Sequence, residues 1–160
     1  MITYKKGNLL DSNCDYIVHQ VNCQRVMGSG IAKQIRNRWP QVYDEYCDYI
    51  DFAFEGGEFK FTCDFLGGIQ LVKVPNKVVV NFFSQDDYLP RNQCHTNYRA
   101  FRLCCQNFKE KLKIKSVVNP VIGFPYKIGC GLAGGDWSIV SKIIEEEFQD
   151  YSVEIWEYEN

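Results

Sequence analysis

The sequence predicts an α/β domain in which a mostly parallel sheet of about six strands carries helices on both faces. Three observations predict it. Strand-like and helix-like segments alternate along most of the chain, an order that favours parallel strands joined by crossover helices. Two glycine-rich turns, one at Gly28–Gly30 and one at Gly129–Gly135, each stand between a strand-like run and a helix-like run. The length of 160 residues suits a single domain, 1–160, with a substantial core.

In chain order, Ile2–Leu10 reads as a short first strand ending in the turn Gly7-Asn-Leu-Leu-Asp-Ser. Asp15–Asn22 is a second strand, apolar at Tyr16, Ile17, Val18 and Val21, with His19, Gln20 and Asn22 crowding its carboxyl end. A buried strand that turns polar where it emerges points to a site rather than to core. Ser29–Arg38 reads as a helix interrupted at Pro40, and Val42–Phe54 continues with Tyr43, Tyr46, Cys47, Ile50 and Phe54 at helical spacing. The stretch 55–76 is less regular, with a strand at Ile69–Val74. Lys77–Phe83 is a buried strand that runs into a loop holding Gln85 and Tyr88, both expected at the cleft. Thr96 or Asn97 caps a helix reaching about Leu112. Ser116–Ile122 reads as a buried strand and Gly123–Trp137 as a glycine loop. Ser138–Gln149 repeats Ile139, Val140, Ile143, Ile144 and Phe148 at helical spacing, and Tyr151–Tyr158 alternates as a last strand.

Bulk properties exclude several function classes. A net charge of −2 argues against non-specific nucleic-acid binding, which needs a basic footprint. Lys33, Arg36 and Arg38 gather on one helix and Lys109, Lys111, Lys113 and Lys115 near another, the latter read as a solvated helix end. Eight cysteines include no Cys-x-x-Cys pair and no Cys/His cluster with metal-ligand spacing. His95 beside Cys94 has no further partner and reads as a surface residue. With no signal-like start and no membrane-length apolar run, the expectation is a cytoplasmic monomer with free thiols, no metal and no cofactor.

The two glycine turns carry the functional reading. Glycines let backbone N–H groups approach a ligand with no Cβ in the way, and such loops hold phosphate. The spacing is not that of a nucleoside triphosphatase loop. Two strand–turn–helix loops at one edge of a parallel sheet face each other across a cleft beyond the carboxyl ends of the strands. A ligand with two phosphates flanked by sugars suits that cleft. Cys130, between two glycines, lacks the Cys-x-x-x-x-x-Arg pattern of cysteine-dependent phosphatases and reads as a small residue in a tight turn.

Three blocks occur in register: His-Gln-Val-Asn-Cys-Gln-Arg-Val-Met-Gly-Ser-Gly-Ile-Ala-Lys at 19–33, Val-Asn-Phe-Phe-Ser-Gln at 80–85 and Ile-Gly-Cys-Gly-Leu-Ala-Gly-Gly-Asp-Trp at 128–137. Together they resemble the macrodomain family, and most nearly its ADP-ribose 1″-phosphate phosphatase branch with phage and bacterial members. The resemblance implies a three-layer α/β/α fold with a mixed central sheet and a cleft for ADP-ribose or a derivative. It places Met27, Gly28, Ser29, Gly30, Ile31 and Ala32 along the distal ribose and diphosphate. Ile128, Gly129, Cys130, Gly131, Leu132 and Ala133 become the second phosphate loop. Asn22 falls at a polar contact to the distal ribose, Gln20 and Gln85 count among the ligand-binding residues, and Asn8, Leu9 and Tyr158 fall where adenine is expected. Many members carry aspartate where this chain has Asn8, which accepts a hydrogen bond without charge assistance.

For the phosphatase branch the expected catalytic pair is His19, protonating the leaving ribose oxygen, and Asp136, positioning water, with the roles exchangeable. Asp136 is also suited to capping the helix that follows. A sister branch removes ADP-ribose from modified protein or nucleic acid with a lysine and an aspartate, whose places fall near Arg36 and Ala133 here. Arginine stays protonated and cannot form the same covalent adduct. A non-catalytic ADP-ribose-binding module is the third reading.

Overall fold

The fold is a six-stranded sheet in the order β1-β6-β5-β2-β4-β3, seen in a computed structural model that describes residues 1–159. The strands are β1 (Ile2–Gly7), β2 (Tyr16–Val21), β3 (Ile69–Val74), β4 (Lys77–Phe83), β5 (Val121–Pro125) and β6 (Ser152–Tyr158). All run parallel except β3, which pairs antiparallel with β4. The helices are α1 (Gly30–Arg38), α2 (Pro40–Glu55), α3 (Tyr98–Ile114) and α4 (Trp137–Glu147). Short 3-10 turns follow β1 at Leu9–Asp11 and α2 at Thr62–Phe65.

Alternation along the strands divides the core into two halves. On one face Ile17, Val21, Val79 and Phe83 pack against Ile35 of α1 and Val42, Tyr46 and Ile50 of α2. On the other, Val18, Val80, Phe82 and Phe124 pack against Phe101, Cys104 and Phe108 of α3 and Val140 and Ile144 of α4. Each strand of the middle is therefore covered on both faces, which is why β2 and β4 read as near-continuous apolar runs. Helices α3 and α4 are further linked by Arg102 and Lys109, which both pair with Glu147. All eight cysteines are free thiols.

Local chemistry sets the element ends. Pro40 does not break a helix but opens one: it is the first residue of α2, where a missing N–H costs nothing. Asn97, not Thr96, caps α3, its side chain accepting from Ala100 N. The strand expected at Ser116–Ile122 is corrected to Val121–Pro125. Val117 N donates back to Leu112 O, and Ser116 and Asn119 hold positive φ of 54° and 49°, so this stretch is the exit from α3. Gly123 thus lies in β5, where an added Cβ would meet Leu9 Cδ1 at 2.6 Å and Cys14 Sγ at 2.8 Å.

One topological feature creates the cleft. β2 and β5 pair only at Tyr16–Ile122 and Ile17–Gly123, and beyond that the strands part. The chain leaves β2 toward α1 and α2 on one face and leaves β5 toward α4 on the other. Loops that depart to opposite faces from adjacent strands leave a crevice at the carboxyl edge.

Candidate ligand cleft

The crevice is a cleft of about 440 Å³, within the range that holds a nucleotide-sized ligand. It runs across the carboxyl ends of the strands from β1 and β6 at one end to β4 at the other.

At the β1/β6 end Leu9, Trp156 and Tyr158 line it with an apolar and aromatic wall, and Tyr126 joins from the loop after β5. Asn8 lines it too, but its side-chain oxygen accepts from Leu10 N at 3.0 Å to cap the 3-10 turn. That bond takes one lone pair of the amide oxygen, so Asn8 keeps a second acceptor position as well as its NH2 group for a ligand.

The first lip is Gly28 to Ala32, leading into α1. Ser29 caps α1 by backbone position alone, making no side-chain capping bond. Lys33 N is the first amide of this helix to find an acceptor, on Ser29 O at 3.2 Å. The amides of Gly28 to Ala32 donate to nothing among the described residues. A helix start left uncapped in this way presents aligned N–H groups and the positive end of the helix dipole. Gly30 holds a φ of 56°, which turns the chain into the helix.

The second lip is Ile128 to Ala133. Cys130 N, Gly134 N and Gly135 N are used inside the loop, on Lys127 O, Gly131 O and Gly129 O. The amides of Gly129, Gly131, Leu132 and Ala133 have no acceptor among the described residues. An added Cβ on Gly131 would meet nothing within 4 Å, so the space beside it is open cleft.

Behind the lips a network of side-chain amides and hydroxyls holds both loops. Gln20 Nε2 donates to Gln85 Oε1 and Thr96 Oγ1, and Gln20 Oε1 accepts from Ser84 Oγ. Thr96 Oγ1 donates in turn to Gly129 O at 2.5 Å. Asn22 Oδ1 accepts from Gln24 N and from the Tyr46 hydroxyl, and its Nδ2 donates to Val26 O. Gln20 and Asn22 line the cleft, yet their amides chiefly fix its walls. The sequence marks Thr96 only as a possible cap, Tyr46 only as part of a helical repeat and Ser84 only within a matching block, and none of the three is expected at the cleft. Each is a polar group on a buried element whose partner lies far along the chain, and no local pattern marks that role.

Of the expected ligand-binding residues, Asn8, Leu9, Gln20, Asn22, Gly28, Ser29, Gly30, Ile31, Ala32, Gln85, Ile128, Gly129, Gly131, Leu132, Ala133 and Tyr158 line the cleft. Met27 and Cys130 do not. Met27 is 1% exposed and packs into the α1/α2 half of the core. The Cys130 thiol donates to Ile128 O, and burial pushes its pKa up to about 11, the opposite of an activated nucleophile.

The expected catalytic pair is not brought together. His19 is wholly buried, on the α1/α2 face of the sheet, and does not line the cleft. Its Nε2 lies 2.5 Å from Asn81 Oδ1, while Asn81 Nδ2 donates to Gln70 Oε1 at 3.0 Å. Asn81 therefore accepts from His19, so Nε2 carries the proton and Nδ1 is a bare acceptor, without a partner among the described residues. Burial holds the imidazole neutral, with its pKa lowered to about 4 against the smaller opposing effect of Asn81. Asp136 is exposed at the start of α4 on the opposite face. Its Oδ1 accepts from Ser138 Oγ at 2.7 Å and Ser138 N at 2.8 Å, which hold its pKa below the usual carboxylate value. It caps the helix and does not line the cleft. Arg36 also stands outside, over the Tyr43 ring at 3.7 Å.

No carboxylate or imidazole lines the cleft among the described residues; its charged side chains are the cations Lys127 and Arg91. The site is thus built to hold negative charge through backbone donors. No cluster of three metal-ligating side chains occurs among the described residues, and no helix there is long and apolar enough to cross a membrane.

The family model described as Macro domain matches residues 18–144. A DNA ADP-ribosyl glycohydrolase of Mycobacterium tuberculosis is 29% identical over 150 residues, covering 93% of this chain and 39% of that protein. One from Thermus aquaticus is 26% identical over 161 residues, covering 99% of this chain and 41% of that protein. The chain thus spans about two-fifths of the length of these curated relatives. Among solved structures, the macrodomain of M. tuberculosis DarG superposes with a TM-score of 0.77 at 24% identity, covering 98% of this chain and 97% of that one, which shows a shared fold. With a family match over most of its length, the chain belongs to the macrodomain family.

Proposed function

We propose that the cleft binds ADP-ribose and that the chain is a hydrolase that removes ADP-ribose from modified nucleic acid. The observation that carries the binding is the pair of facing lips, Gly28–Ala32 and Gly129–Ala133, whose amides have no acceptor among the described residues. A diphosphate supplies acceptors for donors on both sides, and the dipole of α1 favours its charge. Adenine then packs on Leu9, Trp156 and Tyr158, and the distal ribose lies at the Gln20 and Gln85 end. The likeness to glycohydrolases acting on ADP-ribosylated DNA supports the reaction.

Hydrolysis breaks the bond between C1″ of the distal ribose and the modified group, and water supplies a hydroxyl to C1″ and a proton to the departing group. The part assigned to this chain is to fix the diphosphate, so that C1″ is held at the Gln20/Gln85 end, and to stabilise charge with fixed N–H groups. The phosphatase alternative is weakened because His19 and Asp136, its acid and base, lie outside the cleft and on opposite faces of the sheet.

The test presents the protein with a single-stranded oligonucleotide ADP-ribosylated on a base, a peptide ADP-ribosylated on glutamate, and ADP-ribose 1″-phosphate. Release of ADP-ribose from the oligonucleotide is expected. Release of inorganic phosphate from ADP-ribose 1″-phosphate, with the oligonucleotide left modified, overturns the assignment.

A further inference from the structure

The β4 end of the cleft is lined by an exposed aromatic ring and an exposed guanidinium. The loop after β4 contributes Tyr88 and Arg91 to the cleft wall, and Leu132 of the second lip lines the same cleft. Tyr88 is 40% exposed and Leu132 60% exposed. Arg91 is exposed and makes no ion pair or side-chain hydrogen bond among the described residues. The loop is nonetheless fixed. Asp87 Oδ1 accepts from Tyr88 N at 2.7 Å and Leu89 N at 3.2 Å, Gln85 Nε2 donates to Asp87 O, and His95 Nε2 meets Pro90 O at 2.6 Å. The two carboxylates here are occupied, Asp86 with Gln24 Nε2 and Asp87 with these amides.

Sheet order gives this placement its meaning. β4 lies beyond β2, at the opposite end of the cleft from β1 and β6, so with C1″ held at the Gln20/Gln85 end, as proposed, the group attached to it is directed toward the loop of Tyr88 and Arg91. An exposed aromatic ring in a cleft wall accepts a flat base by stacking, and a guanidinium without an ion pair on the same loop suits a phosphate. We propose that Tyr88 stacks on the nucleobase that carries the ADP-ribose and that Arg91 contacts the flanking phosphate, making this loop the determinant of nucleic-acid over protein substrates. This rests on the hydrolase reading of the same cleft and adds its substrate-side contacts.

The experiment compares wild type, Tyr88→Ala, Tyr88→Phe and Arg91→Ala on three ligands: ADP-ribose, an ADP-ribosylated single-stranded oligonucleotide and an ADP-ribosylated peptide. Affinity for the oligonucleotide comes from single-turnover rates against protein concentration, or from fluorescence anisotropy if no turnover occurs. Tyr88→Ala is expected to weaken oligonucleotide affinity by roughly tenfold or more, with Tyr88→Phe restoring most of it. Arg91→Ala is expected to flatten the slope of log affinity against log salt by about 0.7. Both are expected to weaken oligonucleotide affinity by a clearly larger factor than ADP-ribose affinity or peptide turnover. Equal losses on all three ligands, or an oligonucleotide that binds wild type no more tightly than ADP-ribose, overturn the proposal. Tight, Tyr88-dependent binding of the oligonucleotide without turnover sinks the hydrolase reading and leaves the docking surface standing.

Discussion

Two glycines four residues apart make opposite predictions for the same kind of substitution. At Gly131 an added side chain enters open cleft: nothing lies within 4 Å of a built Cβ, and φ is outside the left-handed region. Gly131→Val therefore leaves folding nearly untouched, within about 0.5 kcal/mol or roughly 2 °C in Tm. The valine occupies the place of the diphosphate and separates it from the second lip. A hydrogen bond to a charged group contributes about 1.5–3 kcal/mol, so losing two removes roughly 3–6 kcal/mol, or about 10²- to 10⁴-fold in affinity. At Gly135 a Cβ would stand 2.6 Å from Gly129 O and 3.2 Å from Thr96 Cβ. Gly135→Ala overpacks the base of the loop, at about 1–3 kcal/mol, or roughly 2–12 °C in Tm. Calorimetric titration with ADP-ribose and a thermal melt of each variant separate the two outcomes. ADP-ribose affinity within a few-fold of wild type for Gly131→Val would refute the two-lipped diphosphate site.

Thr96→Val removes the hydroxyl that joins Gly129 O to Gln20 Nε2. Both groups keep another partner, so the expected cost is about 1 kcal/mol, read as roughly 2–4 °C in a melt and about fivefold in ADP-ribose affinity. His19 makes stability fall in acid. Its folded pKa of about 4 is below the ordinary value of 6.5, so the unfolded chain binds the extra proton between them. The folded state then loses up to about 1.4 kcal/mol per pH unit as pH drops through that window, and has its full share above it. Denaturant melts from pH 7 to 4 on wild type and His19→Gln check this, the variant showing the shallower slope; parallel slopes contradict a neutral buried imidazole. Asp136→Asn keeps an acceptor for Ser138 N and is expected to leave turnover within about twofold. A loss on the order of a hundredfold at unchanged Tm would restore this carboxylate to the chemistry.

The sheet and helices were legible because their signals are periodic and local. β2 and β4 are continuous apolar runs, α4 repeats at helical spacing, and both glycine turns mark where chain direction changes. β5 was misplaced because Val117 and Val118 look like strand, while the backbone bond from Val117 N to Leu112 O makes them a helix exit, with Val118 81% exposed. The backbone lips of the cleft were legible for the same reason as the turns. The roles of His19 and Asp136 were not. Sequence places His19 on a strand near the site but does not fix which face its side chain takes, and here alternation sends it into the core opposite Asn81. Asp136 satisfies capping and catalytic patterns equally in sequence, and its bonds to Ser138 show the capping. The Gln20–Thr96–Gly129 chain joins residues 76 and 33 apart, beyond any local signal.

The unsatisfied amides on the two lips are proposed as the receptor for a single ADP-ribose. Isothermal titration of the wild-type protein with ADP-ribose tests this most directly, with ribose 5-phosphate as the control that has one phosphate and no adenine. Saturable one-to-one heat with ADP-ribose and far weaker binding of the control are expected. No heat with ADP-ribose, together with no rise in melting temperature at millimolar ligand, would contradict this.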